Sequence, residues 1–395
     1  MTTLAGNQDS TREQKTIVPR FFLLAVVVTV ALLIVFFTKE HTSEAPFSID
    51  LIEIGGATMG TTYSVKLTRL PEGMTRDALK GKMDTILERI NALMSTYDPS
   101  SEISRFNRQE SFDWFPISAE TVEVIGEALA VSQETNGAFD ITVGPLIDAW
   151  GFGGKNPRSP DAEPSPPTEA KIRAARQKVG FRFLELRDDP PGIRRQRAGL
   201  EIDVSAIAKG YAVDRLAELV EEHELQNYMV EVGGEVRTRG RKSAESVFQI
   251  GIESPTREGR LVHTVVRLND RAMATSGDYR NYYVAKGKAY SHIVDPRTGR
   301  PVEHTLASAT VISDKCIYAD ALATALVVLG PEEGYNRALE RDWPILLLVR
   351  AKVGDGLQVT ETKAEVSGMP EIVEKTSPGF DRLRVKPRKV PDQTE

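Results

Sequence analysis

Cysteine is almost absent from this chain: Cys316 is the only one in 395 residues. That excludes an internal disulfide framework and any cysteine-rich zinc site. Histidine is nearly as scarce, five in all, and none lies in an H-E-x-x-H pair. G-x-S-x-G, Walker-type and G-x-G-x-x-G motifs are missing too, so zincin, serine-hydrolase, P-loop and Rossmann readings fall. No basic block interleaved with aromatics occurs, and the net charge is −6. Nucleic acid is therefore not an expected partner. Internal repeats are lacking as well.

One long apolar run is present. Residues 21–37 carry no charge and are interrupted only by Thr29, the lower limit for a membrane-spanning helix. No A-x-A cleavage site follows, and a polar stop, Thr38-Lys39-Glu40-His41, does; the expectation is an uncleaved anchor rather than a signal peptide. Arg12, Lys15 and Arg20 precede the run and only Lys39 lies close behind it. The positive-inside rule then puts 1–20 in the cytoplasm and the rest outside: a single-pass inner-membrane protein with its catalytic part on the periplasmic side. With no cysteine near the anchor, a lipidated, processed N-terminus is excluded. The expected layout is an anchor over 21–38, a linker over 39–48, one catalytic unit over 49–366 and a charged, flexible tail over 367–395.

Within the catalytic unit, strands are expected at 51–54 and 62–67. Thr75 caps a helix whose Leu79, Met83, Ile86, Leu87, Ile90, Leu93 and Met94 keep helical spacing. Ser118 caps another, closed by Asn136-Gly137. After a proline-rich loop at 158–168 comes a short helix, 169–178. The segment 205–223 reads as helical with Ser205 as N-cap. Strands are expected at 228–232, 248–252, 262–268, 289–294, 307–312 and 345–350, the last pairing with 357–360 through Gly354-Asp355-Gly356. A helix at 320–329 ends at Gly330-Pro331. Strands and helices mix without βαβ alternation, so the class is α+β, with mixed or antiparallel sheets and packed helices.

Several segments carry chemistry. His292 and Asp295 sit between a strand-like run and the turn Pro296-Arg297-Thr298-Gly299-Arg300-Pro301. Asp320 and Thr324, four apart, share one helix face. A base-capable histidine beside hard-cation ligands is the equipment of metal-assisted phosphoryl chemistry. The same residues also fit a local His–Asp hydrogen bond and a helix-surface threonine. Lys209 lies in the first turn of a helix, where an anionic ligand would relieve its conflict with the dipole; a lysine reaching to solvent is the alternative. Gly137-Ala138-Phe139-Asp140 places an acid in a tight-backbone setting, which also suits a plain helix-to-strand turn.

In order along the chain, these pieces resemble the ApbE family of flavin transferases. The matching segments are Met59-Gly60-Thr61, Met94-Ser95-Thr96-Tyr97-Asp98, 137–145 with Trp150-Gly151-Phe152-Gly153, 203–211, Val232-Gly233-Gly234, Ala274-Thr275-Ser276-Gly277, 291–301 and 319–324. The resemblance implies a T-fold-like catalytic unit that takes FAD as substrate, moves its FMN half to a threonine of a target flavoprotein and releases AMP. It implies FAD contacts from Met59, Tyr97, Ala138, Phe139, Asp140, Asp203, Lys209 and Val294. It implies Mg²⁺ held by the backbone oxygen of Ala206 and the side chains of Asp320 and Thr324, with His292 as base. Ala323 stands where some members carry a second acid, which leaves fewer protein ligands. Two rival readings keep the site but change its use: a Mg²⁺-dependent FAD pyrophosphatase, and a flavin-binding protein without chemistry.

Overall fold

The computed structural model describes residues 51–153, 165–243, 246–255, 261–279, 281–351 and 371–386. The expected anchor and linker lie outside these residues. Among the described residues no helix is long and apolar enough to cross a membrane.

The chain opens with a hairpin, β1 (Ile52–Thr58) and β2 (Thr61–Leu67), followed by α1 (Arg76–Met94) and α2 (Glu102–Arg108). Next come β3 (Phe115–Pro116), α3 (Ala119–Glu134), α4 (Gly144–Trp150) and α5 (Glu169–Arg176), then β4 (Leu184–Arg187) and β5 (Gly192–Arg195). The middle holds α6 (Ala208–Glu222), β6 (Tyr228–Val232), β7 (Glu235–Arg239), β8 (Phe248–Glu253), β9 (Val262–Leu268) and β10 (Ala272–Gly277). Four short strands follow: β11 (Tyr282–Ala285), β12 (Lys288–Ser291), β13 (Val294–Asp295) and β14 (Arg300–Pro301). The last elements are β15 (Leu306–Ser313), α7 (Cys316–Glu340), β16 (Ile345–Arg350), β17 (Ile372–Thr376) and α8 (Pro378–Asp381).

Eight strands form one sheet in the order β1-β2-β6-β7-β10-β15-β16-β17, every neighbouring pair antiparallel. Helices α1, α6 and α7 bury one side in the main core, around Leu79, Tyr211, Leu216 and Leu322. The β8–β9 hairpin and Phe380 close a second core with Met273, Ile312, Leu346 and Leu348. Sandwiched this way, β15 is buried along nearly its whole length instead of alternating, as a strand covered on both faces must be. A third cluster joins α4 and α5 to β11–β13 through Trp150, Ile172, Tyr283 and Val294. There the Trp150 indole N–H donates to the Gly299 carbonyl at 2.9 Å and pins the turn after Asp295.

The α+β expectation holds, and Thr75 and Ser118 cap their helices through their side chains. Several details are corrected. Ser205 is not the N-cap of α6; its N–H donates to Asp203 Oδ1 at 2.9 Å, and the helix starts three residues later. The expected strand 289–294 is two strands, β12 and β13, broken at His292 and Ile293. Helix α7 begins at Cys316 and resumes after a kink at Gly330. Gly330 has φ 81°, and a Cβ there would meet the His304 ring at 2.7 Å, so only glycine serves. The tail boundary at 367 is corrected too. Ile372–Thr376 pairs with β16 over five residues and Phe380 is fully buried, while the charges on this strand are matched from outside it, Glu374 by His263 and Arg384. The expected partner of β16, 357–360, lies outside the described residues; that edge is taken by β17.

Candidate functional site

The site opens where the sheet loses rungs. Strands β7 and β10 pair at only two positions, Ala272↔Arg237 and Met273↔Val236. Beyond them, Thr275, Ser276 and Gly277 diverge from Gly233, Gly234 and Glu235, and all six line a cavity of about 620 Å³. Ile250 and Ile252 of β8 wall it on one side; Lys209, Asp320 and Thr324 line it from α6 and α7. Ten of the twelve expected site residues line this cavity: Ala138, Phe139, Asp140, Asp203, Ala206, Lys209, His292, Val294, Asp320 and Thr324. Tyr97, 75% exposed, lines an adjoining cavity of about 360 Å³ that shares Ile147 and Asp203 with the first. Met59 lines neither. It occupies the β1–β2 turn with φ 48°, beside Gly233 through Thr61.

Helices α6 and α7 touch at Gly210. Its N–H donates to Asp320 Oδ2 at 2.9 Å, and a Cβ there would stand 2.4 Å from the Cys316 carbonyl oxygen. Only a residue without a side chain lets the helices come this close. Asp320 is 2% exposed; its Oδ1 lies 3.6 Å from Lys209 Nζ. Lys209 Nζ in turn lies 2.6 Å from Glu235 Oε1. Burial works against the ammonium, yet Asp320 and Glu235 hold its pKa above the ordinary lysine value. Lys209 thus ends on two carboxylates rather than in an empty anion pocket, with about 30% of its side chain still exposed. Thr324 Oγ1, one turn along, shares a 2.8 Å hydrogen bond with Ser276 Oγ.

Asp140 is buried, and its carboxylate accepts from Thr142 N–H (2.8 Å), Thr142 Oγ1 (2.7 Å) and Phe181 N–H (2.9 Å). Burial pushes its pKa up against those donors. This side chain fixes the loop from Ala138 to Thr142, so its own contribution to a ligand is the shape of that wall. Asp203 anchors the same loop, its N–H donating to the Ile141 carbonyl at 2.7 Å. His292 Nδ1 lies 2.9 Å from the Asn281 carbonyl. A carbonyl only accepts, so Nδ1 carries the proton and Nε2 is the basic nitrogen. Burial lowers the imidazole pKa below 6.5, keeping it neutral near pH 7.

For a metal ion, the available donors are the Asp320 carboxylate, the Thr324 and Ser276 hydroxyls and the Ala206 carbonyl. Among the described residues no group of three or more His, Cys, Asp or Glu side chains forms a metal cluster. An all-oxygen set of one acid with hydroxyl and carbonyl groups suits Mg²⁺, which keeps several non-protein ligands. Glu235 borders this set through Lys209, and its Oε2 is buried without a hydrogen-bond partner. The donor chemistry fits a hard cation.

The sequence profile of the ApbE family matches residues 59–346. The chain belongs to the ApbE family. A relative from Vibrio cholerae named FAD:protein FMN transferase is 40% identical over 77% of this chain and 89% of its own length. One of the same name from Haemophilus influenzae is 39% identical over 77% and 88%. The solved flavin transferase ApbE from Vibrio cholerae covers 85% of this chain and 99% of its own at TM-score 0.72 and 35% identity. The flavinyl transferase ApbE of Pseudomonas stutzeri, solved in apo form, gives 0.72 at 33% identity, over 86% of this chain and 98% of its own.

Sequence reasoning missed three residues of this ApbE site. Glu235 directly follows the Gly233-Gly234 turn, where an acid opening a buried strand was the available signal. Ser276 stood inside a segment read as offering hydroxyls and small residues to a ligand, but its pairing with Thr324 was not expected. Gly210 sat unremarked beside Lys209; nothing local announces a glycine whose partner is 110 residues away.

Proposed function

We propose that this protein is a FAD:protein FMN transferase that moves the FMN moiety of FAD onto a threonine hydroxyl of a target flavoprotein and releases AMP. The observation that carries the reading is the convergence of Lys209 and Gly210 on Asp320 inside one cavity that His292 also lines. A bound Mg²⁺ would neutralise diphosphate charge as the phosphorus–oxygen bond breaks; Asp320, Thr324 and the Ala206 carbonyl would hold it. The acceptor hydroxyl is a weak nucleophile, and His292 Nε2 is the group suited to take its proton as oxygen attacks the FMN phosphorus. AMP departs with the electrons of the broken bond. Asp140 and Asp203 hold the wall against which the dinucleotide lies, and Tyr97 borders the adjoining cavity.

The apolar run at 21–37 and the charges around it support an inner-membrane anchor with the catalytic unit on the periplasmic side. The target would then be an exported flavoprotein or a subunit of a membrane redox complex. Incubating the protein with FAD, Mg²⁺ and a threonine-bearing flavoprotein subunit, followed by mass spectrometry, tests the reading. The expected result is an FMN adduct on threonine with one AMP per transfer. Rapid AMP release without acceptor and no adduct with it would replace the transferase by a pyrophosphatase.

A further inference from the structure

We propose that Lys209 is a built-in counter-cation of the metal site and that Glu235 is the positioning residue that draws it off Asp320 when a divalent cation binds. The inference rests on the reading above that Asp320 and Thr324 hold such a cation.

Four observations carry it. Lys209 Nζ is shared unequally, 2.6 Å from Glu235 Oε1 and 3.6 Å from Asp320 Oδ1. Asp320 Oδ2 is committed to the Gly210 N–H, so Oδ1 is the oxygen left for a cation, and it faces the ammonium. Glu235 is 3% exposed and its Oε2 has no hydrogen-bond partner, although a buried carboxylate oxygen is costly to leave unmatched. The lysine stem passes Gly233, where a Cβ would stand 3.2 Å from Lys209 Cδ. Its route to Glu235 is open because that residue is glycine.

Two buried carboxylates without a positive charge would strain the empty site, and one ammonium offsets part of that. A divalent cation on Asp320 Oδ1 would then meet Lys209 as a like charge a few ångströms away, where repulsion is weakly screened. The closer anion, Glu235, keeps the ammonium, and its unpartnered Oε2 offers a second acceptor. Glu235 therefore sets metal affinity through Lys209, without itself being a ligand.

The test is calorimetric titration of the full-length protein with Mn²⁺ and with Mg²⁺, FAD absent. Lys209→Met keeps the stem and removes the charge; affinity is expected to rise about 10-fold, and Lys209→Gln, run beside it, should behave alike. Glu235→Gln frees Lys209 to turn to Asp320, and affinity is expected to fall about 10-fold. In the Lys209→Met background the same Glu235→Gln change should have almost no effect. A metal ligand or a plain field effect of Glu235 predicts an equal fall in both backgrounds, and that result overturns the proposal. So does weaker binding on removal of the Lys209 charge. A wild-type protein that binds neither ion overturns the metal site itself, and this inference with it; binding with the wrong signs overturns the inference alone.

Discussion

Replacing Gly210 with alanine probes the contact that assembles the site. The added methyl would stand 2.4 Å from the Cys316 carbonyl oxygen and 2.8 Å from Asp320 Cβ, whereas ordinary contact starts at 3.4 Å. Helix α7 must retreat from α6 by about 1 Å, since a packed core has no slack to absorb the overlap. Overpacking of this kind costs about 1–3 kcal/mol. Alanine returns about 1 kcal/mol through its better helix propensity. Stretching the Gly210 N–H···Asp320 bond, whose acceptor is charged, costs about 1.5–3 kcal/mol more. Net destabilisation is therefore about 1.5–5 kcal/mol. The function should suffer more than the fold: a 1 Å displacement of a positioned group costs on the order of 100-fold in rate. Thermal melting and a quantitative FMN-transfer assay read the two effects separately. A variant that melts at or above the wild-type temperature and transfers FMN within a factor of two would refute the claim that close helix approach positions Asp320.

The remaining predictions address other links. His292→Ala should abolish most transfer, and the rate of the wild-type enzyme should follow a basic group with a lowered pKa. With the neutral imidazole as base, kcat/KM should fall along an acid limb centred below 6.5; a limb centred above 6.5 contradicts the burial argument. Asp140→Ala strands the Thr142 and Phe181 N–H groups and the Thr142 hydroxyl. It should cost about 2–4 kcal/mol in denaturant unfolding, and no loss would mean the loop stands without it. Phe380→Ala, in the segment expected to be a tail, should cost about 3–5 kcal/mol because the ring is fully buried. A neutral result would make α8 an ornament on the sheet.

Much of the fold could be read from the sequence wherever one residue decides locally. Thr75 and Ser118 announce their helices because a side-chain oxygen at the N-cap works within three residues. Ser205 misled because it lies in an Asx turn, its N–H on Asp203 Oδ1, and the helix starts only at Ala208. Strand β7 was overlooked because its burial alternates with charged residues, Glu235, Arg237 and Arg239, which look like a solvated segment. Those charges are matched from distant elements, Arg237 by Asp214 at 2.8 Å and Glu235 by Lys209. Strand β17 was hidden likewise, since Glu374 is matched by His263 and Arg384. The family pattern recovered ten cavity residues that spacing alone left ambiguous.

The position of the site follows from a limit on antiparallel sheets. A ladder that keeps every rung leaves no room for a dinucleotide; one that drops rungs exposes backbone that must find other partners. Here the gap falls between β7 and β10, beside the two-residue β6–β7 hairpin turn that Gly233 and Gly234 form with φ of 62° and 107°. The helices behind the gap then supply what strands cannot: a carboxylate, a hydroxyl and an ammonium at fixed spacing. Gly210 sets the depth of those groups and Gly233 clears the path of the ammonium, so the electrostatics of the cavity depend on two residues that have no side chain. A substitution at either should alter metal affinity before it unfolds the protein, whereas one at Asp140 should do the reverse.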